Sequence, residues 1–305
     1  MPAQHISDPS TTSLDSGAWP PRTYQPRVDI AAQFSLDTRN AVLLHPRCAH
    51  VADPIASKVG GKPAWPTAEE WPTCKEHNRA LIPVIQLTQN DVPELPFPVM
   101  SDLFQLLWCP EDHDEAGYGP LITTRWRNSS SLGPLLKNIP CPKEDYMTSS
   151  HVPKECAVYP ERIIESNPMP DNTEQITMWI NEHAKEDLDA LGIPQDYRED
   201  AYCFFAEAPS TKVGGFPSWV QDPAEASCRC GEDMQLLLTV SSDDVGDGFS
   251  GYRWAPSDVR RDETGFRDCT SIQGTELCIG DCGRVYVFIC AHCESRPVES
   301  VFQCS

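Results

Sequence analysis

Apolar residues along the chain fall into short runs closed by Pro or Gly, the patterning of a protein built more from strands and loops than from helices. Residues 41–45 (A-V-L-L-H) predict a first short strand, and 81–88 (L-I-P-V-I-Q-L-T) a second, in which Pro83 suits an edge or a strand start. The run 102–109 (D-L-F-Q-L-L-W-C) is either a buried strand or a short helix entering one, because so short an apolar run has no readable period. Further on, 201–206 (A-Y-C-F-F-A) reads as a buried strand, and 234–240, 284–290 and 298–303 are strongly β-forming. A single stretch has a clear helical period. Apolar residues recur at Ile176, Trp179, Ile180, Ala184, Leu188 and Leu191, and Glu182, Lys185, Glu186 and Asp189 lie on the other face. Asn172 or Thr173 can cap this helix over 173–191, and Gly192 with Pro194 stops it; it is expected to pack on the second half of the chain. Residues 1–35 mix Ser, Thr, Pro and Asp and predict a loose arm, while 138–170, rich in Pro, Glu and Ser, reads as a connector.

The patterning also repeats. K-V-G-G-x-P-x-W occurs at 58–65 and again at 212–219, an offset of 154. Cys74 follows Gly61 by 13 residues, as Cys228 follows Gly215, and in each copy a later apolar run ends on a cysteine, Cys109 or Cys290. An ordered series of matches points to duplication. The expected architecture is α+β and β-rich, two pseudo-repeats of short antiparallel strands packed together with few helices. Its parts are an arm over 1–35, a first repeat over 36–150, a connector with the helix over 151–195, and a second repeat over 196–305.

Charge narrows the range of partners. The 305 residues carry a formal net charge of −21. Residues 1–153 hold 17 acids and 12 bases, and 154–305 hold 28 and 12, so the second half carries most of the field. That field repels phosphate backbones, which argues against direct nucleic-acid binding, and it suits a basic protein; it also serves solubility alone. No apolar run approaches the roughly 18–20 residues that span a bilayer. Residues 1–17 show no charged segment leading into an apolar one, so no secretory leader or membrane association is expected and the cytoplasm is the expected location.

Fourteen cysteines are then expected to be reduced, and close pairs read as metal ligands. Cys228 and Cys230 precede Gly231, and Cys290 and Cys293 follow a β-forming run. Four converging thiolates make the closed tetrahedral set of a structural zinc site. Only one residue separates the first pair, shorter than a usual zinc knuckle, so His292 or Cys304 stands as an alternative ligand, and buried thiols or a disulfide as alternative chemistry. In the first repeat Cys74, His77, Cys109 and His113 occupy the corresponding places and offer a second metal set, or, for Cys109 and His113, a nucleophile and base. Cys269, Cys278 and Cys282 cluster without a role.

S-K-V-G-G-x-P at 57–63, P-F-P at 96–98 followed by D-L-F-Q-L-L-W-C-P-E-D-H at 102–113, and I-G-D-C-G-R-V-Y-V-F-I-C at 279–290 resemble the YwqG-like family of uncharacterised domains over residues 40–305. That family is distantly similar to programmed cell death protein two and its ribosome-biogenesis relatives. The resemblance implies a duplicated β-rich α+β fold and a binding role. The distant relatives are chaperones of a basic ribosomal protein, and some bacterial relatives look like immunity proteins. The short Cys228/Cys230 spacing departs from their cysteine knuckle.

The glycine pairs Gly60-Gly61 and Gly214-Gly215 allow positive φ or close backbone approach, and Trp65 and Trp219 then cover the core or a groove. Either these residues build a turn on a buried tryptophan, or they line two equivalent grooves where a peptide adds to a strand edge. The motif lacks the G-x-x-x-x-G-K-[ST] of a phosphate loop, and no G-x-S-x-G, H-E-x-x-H or kinase pattern occurs. Expectation therefore centres on a protein-binding module, chaperone-like toward a basic client, with an immunity protein against a toxin and a metal-dependent or hydrolytic enzyme as alternatives.

Overall fold

The computed structural model describes residues 22–140, 149–243, 251–259 and 273–305. Among them, twelve strands form two six-stranded antiparallel sheets. In chain order they are β1 (Thr38–Leu43), β2 (Arg47–Cys48), β3 (Lys58–Val59), β4 (Ile82–Thr88), β5 (Leu103–His113), β6 (Gly119–Arg127), β7 (Cys156–Ala157), β8 (Glu161–Ser166), β9 (Lys212–Gly214), β10 (Gln235–Ser241), β11 (Arg284–Ile289) and β12 (Val298–Gln303). One sheet runs β12-β11-β10-β9-β1-β8 and the other, read from its matching end, β6-β5-β4-β3-β7-β2. The fold is thus α+β and β-dominated, and the two sheets share one strand order.

The K-V-G-G strands β3 and β9 hold the same place in each sheet, but their neighbours are exchanged. β1 precedes the first K-V-G-G element in sequence yet pairs with β9, and β7 follows the first half yet pairs with β3. The chain crosses between sheets twice, through residues 44–46 from β1 to β2 and through 158–160 from β7 to β8. The crossings run side by side: Tyr159 N–H donates to the Leu44 carbonyl and Leu44 N–H to that of Thr211. The sheets enclose one core in which Val42, Val84, Phe104, Leu106 and Trp108 meet Val213, Leu238, Val240, Val285 and Val287.

The glycine pairs make these exchanged contacts sterically possible. Gly60, Gly61, Gly214 and Gly215 have φ of +66°, +65°, +68° and +75°. A Cβ at Gly60 would strike the Lys154 carbonyl ahead of β7, and one at Gly215 would strike the Glu165 carboxylate on β8. Lys212 and Glu165 form an ion pair of 2.6 Å, both side chains fully buried. Lys58, also buried, donates instead to the carbonyls of Lys62 (3.1 Å) and Asp53 (3.4 Å).

The connector expected over 138–170 holds β7 and β8, with residues 141–148 outside the described set. The expected helix over 173–191 is two, α2 (Thr173–His183) and α3 (Lys185–Leu191), with α1 (Ile30–Phe34) before them; the break falls at Ala184, whose ψ of 27° leaves the helical range. Gly192 ends α3 at φ +72°, the left-handed stop its sequence predicts. Residues 201–206 are not a strand: Gln195–Phe204 is a 3₁₀ segment. Ala201 with Phe204 and Phe205 lies on one helical face, and these residues bury against Ile176, Ile180, Leu188 and Leu191 in a separate core. Residues 22–35 of the expected arm are fastened to the body. Thr23 N–H donates to buried Glu161 (3.0 Å), and Tyr24 Oη–H to buried Asp187 (2.7 Å); residues 1–21 lie outside the described set. Pro83 sits at an irregularity early in β4, where β3 has no pairing partner for it.

Candidate metal centres

Each repeat builds its donor set from a tight hairpin and the end of a long strand. In the first, Thr73 and Ala80 bridge, Cys74 N–H donates to the Arg79 carbonyl (2.8 Å), and Asn78 turns the chain at φ +50°. In the second, Ser227 and Asp233 bridge, Cys228 N–H donates to the Glu232 carbonyl (2.9 Å), and Gly231 turns it at φ +91°. The residue just before each turning point is a donor, His77 or Cys230. The second hairpin is one residue shorter, so Cys-x-x-His becomes Cys-x-Cys at the same place in the fold. The spacing that departs from a usual knuckle reflects a shortened hairpin. The other two donors come from β5, Cys109 within it and His113 at its end, and from the chain just past β11, Cys290 and Cys293.

Both sets converge. The donor atoms of Cys74, His77, Cys109 and His113 lie within 4.8 Å of one another, as do those of Cys228, Cys230, Cys290 and Cys293, and each set can hold a metal ion. In the second, Sγ atoms of Cys228 and Cys293 are 3.8 Å apart and those of Cys230 and Cys290 3.7 Å. His292 is exposed and Cys304 lies beside Gly280 at the opposite end of β11, so neither enters the set. Cys278 is exposed, its thiol facing the Gly280 carbonyl at 3.6 Å, Cys282 is exposed at φ +52°, and Cys269 lies outside the described residues.

Within each set the thiols shift one another in opposite directions. Burial pushes the Cys74 thiol up, but hydrogen bonds from His77 N–H and the His113 and His77 rings outweigh it and bring it down to about 6. Cys109 is pushed up to about 12, by burial first and then by the neighbouring Cys74. In the second set, hydrogen bonding led by Cys293 N–H brings Cys290 down to about 6, while contacts with Cys230, Cys228 and Cys290 push Cys293 up to about 12. Crowded thiols ionise together only around a cation.

The motif tryptophans back these sets. Trp65 is buried in a cluster with Cys74 and Cys109, under the Arg127 guanidinium at 4.3 Å. Trp219, partly buried, packs on Tyr286 and Phe288 beside the second hairpin. Gly60, Gly61, Gly214, Gly215 and the two tryptophans thus face the sheet neighbours and the hairpin supports. His151, which the sequence did not single out, joins the halves. Its Nδ1–H donates to the Pro110 carbonyl (2.9 Å) and its Nε2 accepts from Gly280 N–H (3.1 Å). Burial holds its pKa down, which keeps the ring neutral for both bonds.

A β-dominated α+β fold of two like-ordered sheets, each with a four-donor set at a hairpin and a strand end, defines the class of protein. The family model described as Domain of unknown function (DUF1963) matches residues 57–255, and the chain belongs to that family. The match covers both K-V-G-G elements, the first donor set, and Cys228 and Cys230; Cys290 and Cys293 lie beyond it. No match is found among curated proteins. No helix among the described residues is long and apolar enough to cross a membrane.

Proposed function

We propose that the protein is a protein-binding module without catalytic chemistry, in which zinc fixes the Cys228, Cys230, Cys290 and Cys293 hairpin and the acidic second half engages a basic protein partner in the cytoplasm. The observation that carries this reading is closure. Four protein sulfurs around one point leave no coordination position for substrate or water, which is the arrangement of structural zinc sites. Zn–S bonds of about 2.3 Å in a tetrahedron place sulfurs about 3.8 Å apart, and the separations of 3.7 and 3.8 Å agree. A disulfide needs about 2.05 Å. The net charge of −21 supplies the attraction for a basic client. The resemblance to YwqG-like domains, and more distantly to programmed cell death protein two and chaperones of a basic ribosomal protein, supports the same reading.

The test is capture of partners on the native protein, followed by affinity measurements across a salt series with the recovered partner. A stoichiometric basic protein whose binding weakens steeply as salt rises is the expected result. A partner of acidic or neutral character, or binding indifferent to salt, would count against it.

A further inference from the structure

We infer that Cys74, His77, Cys109 and His113 hold a second zinc ion, buried where the Cys228 set is partly open to solvent. The argument begins with lone pairs. His113 Nδ1 lies 2.7 Å from the Glu111 carbonyl, which can only accept, so Nδ1 carries a proton and Nε2 is the nitrogen left to bind a metal once its own proton is released. That Nε2 is 3.2 Å from His77 Nδ1 and 3.3 Å from Cys74 Sγ, and His77 Nδ1 is also 3.7 Å from both Cys74 Sγ and Cys109 Sγ. One N–H points at one acceptor, whereas here three neighbours crowd a single nitrogen. Atoms that converge on one another rather than pairing off are arranged around a common cation.

The dimensions select the ion. Zinc bonds of about 2.0–2.1 Å to nitrogen and about 2.3 Å to sulfur, set tetrahedrally, put N and N about 3.3 Å apart and N and S about 3.6 Å apart. The two imidazole planes stand at 86°, so neither ring stacks on the other, and their nearest nitrogens approach to 3.2 Å. Two thiolates with two imidazoles in a tetrahedron suit zinc over harder cations. The Glu111 carbonyl fixes the His113 tautomer as an outer partner does in metal sites. Cys74, Cys109 and His113 are buried, while in the other set Cys230 is exposed and Cys228 and Cys293 are partly so. The first ion is therefore the one better shielded from chelators.

This inference stands on its own donor set, and one measurement separates it from the zinc reading of the other. Metal analysis with zinc K-edge absorption on the native full-length protein should give two zinc ions per chain, with an average of three sulfur and one nitrogen ligands per zinc. One zinc ion in an all-sulfur shell overturns the inference and leaves the Cys228 set standing. One ion with two sulfurs and two nitrogens upholds the inference and sinks the other reading; a zinc-free protein overturns both. Cys230→Ser combined with Cys293→Ser should retain one zinc ion in a mixed shell, and a folded variant with none would contradict the inference. Should that variant not fold, the native measurement decides alone.

Discussion

Lys212 is a positive charge with no access to water, and Glu165 is the group that makes this tolerable. Besides the 2.6 Å ion pair, Glu165 accepts N–H bonds from Ala208 (2.8 Å) and Phe216 (2.7 Å), so one carboxylate fastens the crossing strand, the K-V-G-G strand and the residue after the glycine pair. Removing one partner strands the other in a dry site. Lys212→Met should cost about 3–5 kcal/mol in a denaturant titration; a loss below about 1 kcal/mol would show the pair to be dispensable. Replacing both residues should recover only part of this, because two backbone N–H groups then lose their acceptor. Glu207, near the pair, is pushed up to about 7, by burial first and by Glu165 as well, against the pull of Lys212. Its unfolded form ionises from about pH 4.5. Between these values only the unfolded chain gives up the proton, so this residue's contribution falls as pH rises and the penalty is complete above pH 7. Glu207→Gln should raise the melting temperature at pH 8 more than at pH 5.5, and an equal or opposite change would contradict the assignment. At this scale the sequence is partly transparent. The glycine pairs announce a left-handed turn, but nothing in Glu161 and Glu165 announces burial, because a glutamate's default place is solvent.

The two donor-bearing hairpins are too small to hold themselves. Each closes around a single bridge pair and a few backbone bonds, and the donors on strand ends supply the remaining constraint. Chelation of metal from the folded protein should therefore release amide protection in 73–80 and 227–233 while β4, β5, β10 and β11 stay protected. Hydrogen exchange followed by mass spectrometry reads this directly, and unchanged hairpins after metal loss would contradict the role given to the ions. Because the ligands bind metal as thiolates and neutral imidazoles, the same loosening should follow acidification. The elements that frame the hairpins were legible: β5, β10, β11 and β12 follow their apolar runs closely. β8 was not, because its inward positions, Glu161, Ile163 and Glu165, interleave with Arg162 and the exposed Ile164, which erases the polar–apolar alternation a strand normally shows. β6 carries a β-forming run of its own, I-T-T-R-W-R. Residues 201–206 misled for the opposite reason: continuous burial of Ala201, Tyr202, Phe204, Phe205 and Ala206 against helices looks, in sequence, like a strand buried on both faces.

At the scale of the whole molecule, the two like-ordered sheets are locked by exchanged strands. β1 belongs in space to the second K-V-G-G element and β7 to the first, so the two sequence repeats cannot separate without breaking the pairing of β1 with β9. The K-V-G-G repeat carried the likeness of the halves in the sequence; the exchange left no local trace, since a strand's partner is not written in its own residues. The chain carries a net charge of −21, and both donor sets lie within this frame. Native mass spectrometry of the protein, purified without chelators, tests their role as metal centres most directly. Each chain should carry two zinc ions at neutral pH, both released when the protein is acidified; a chain with no bound metal at neutral pH would contradict it.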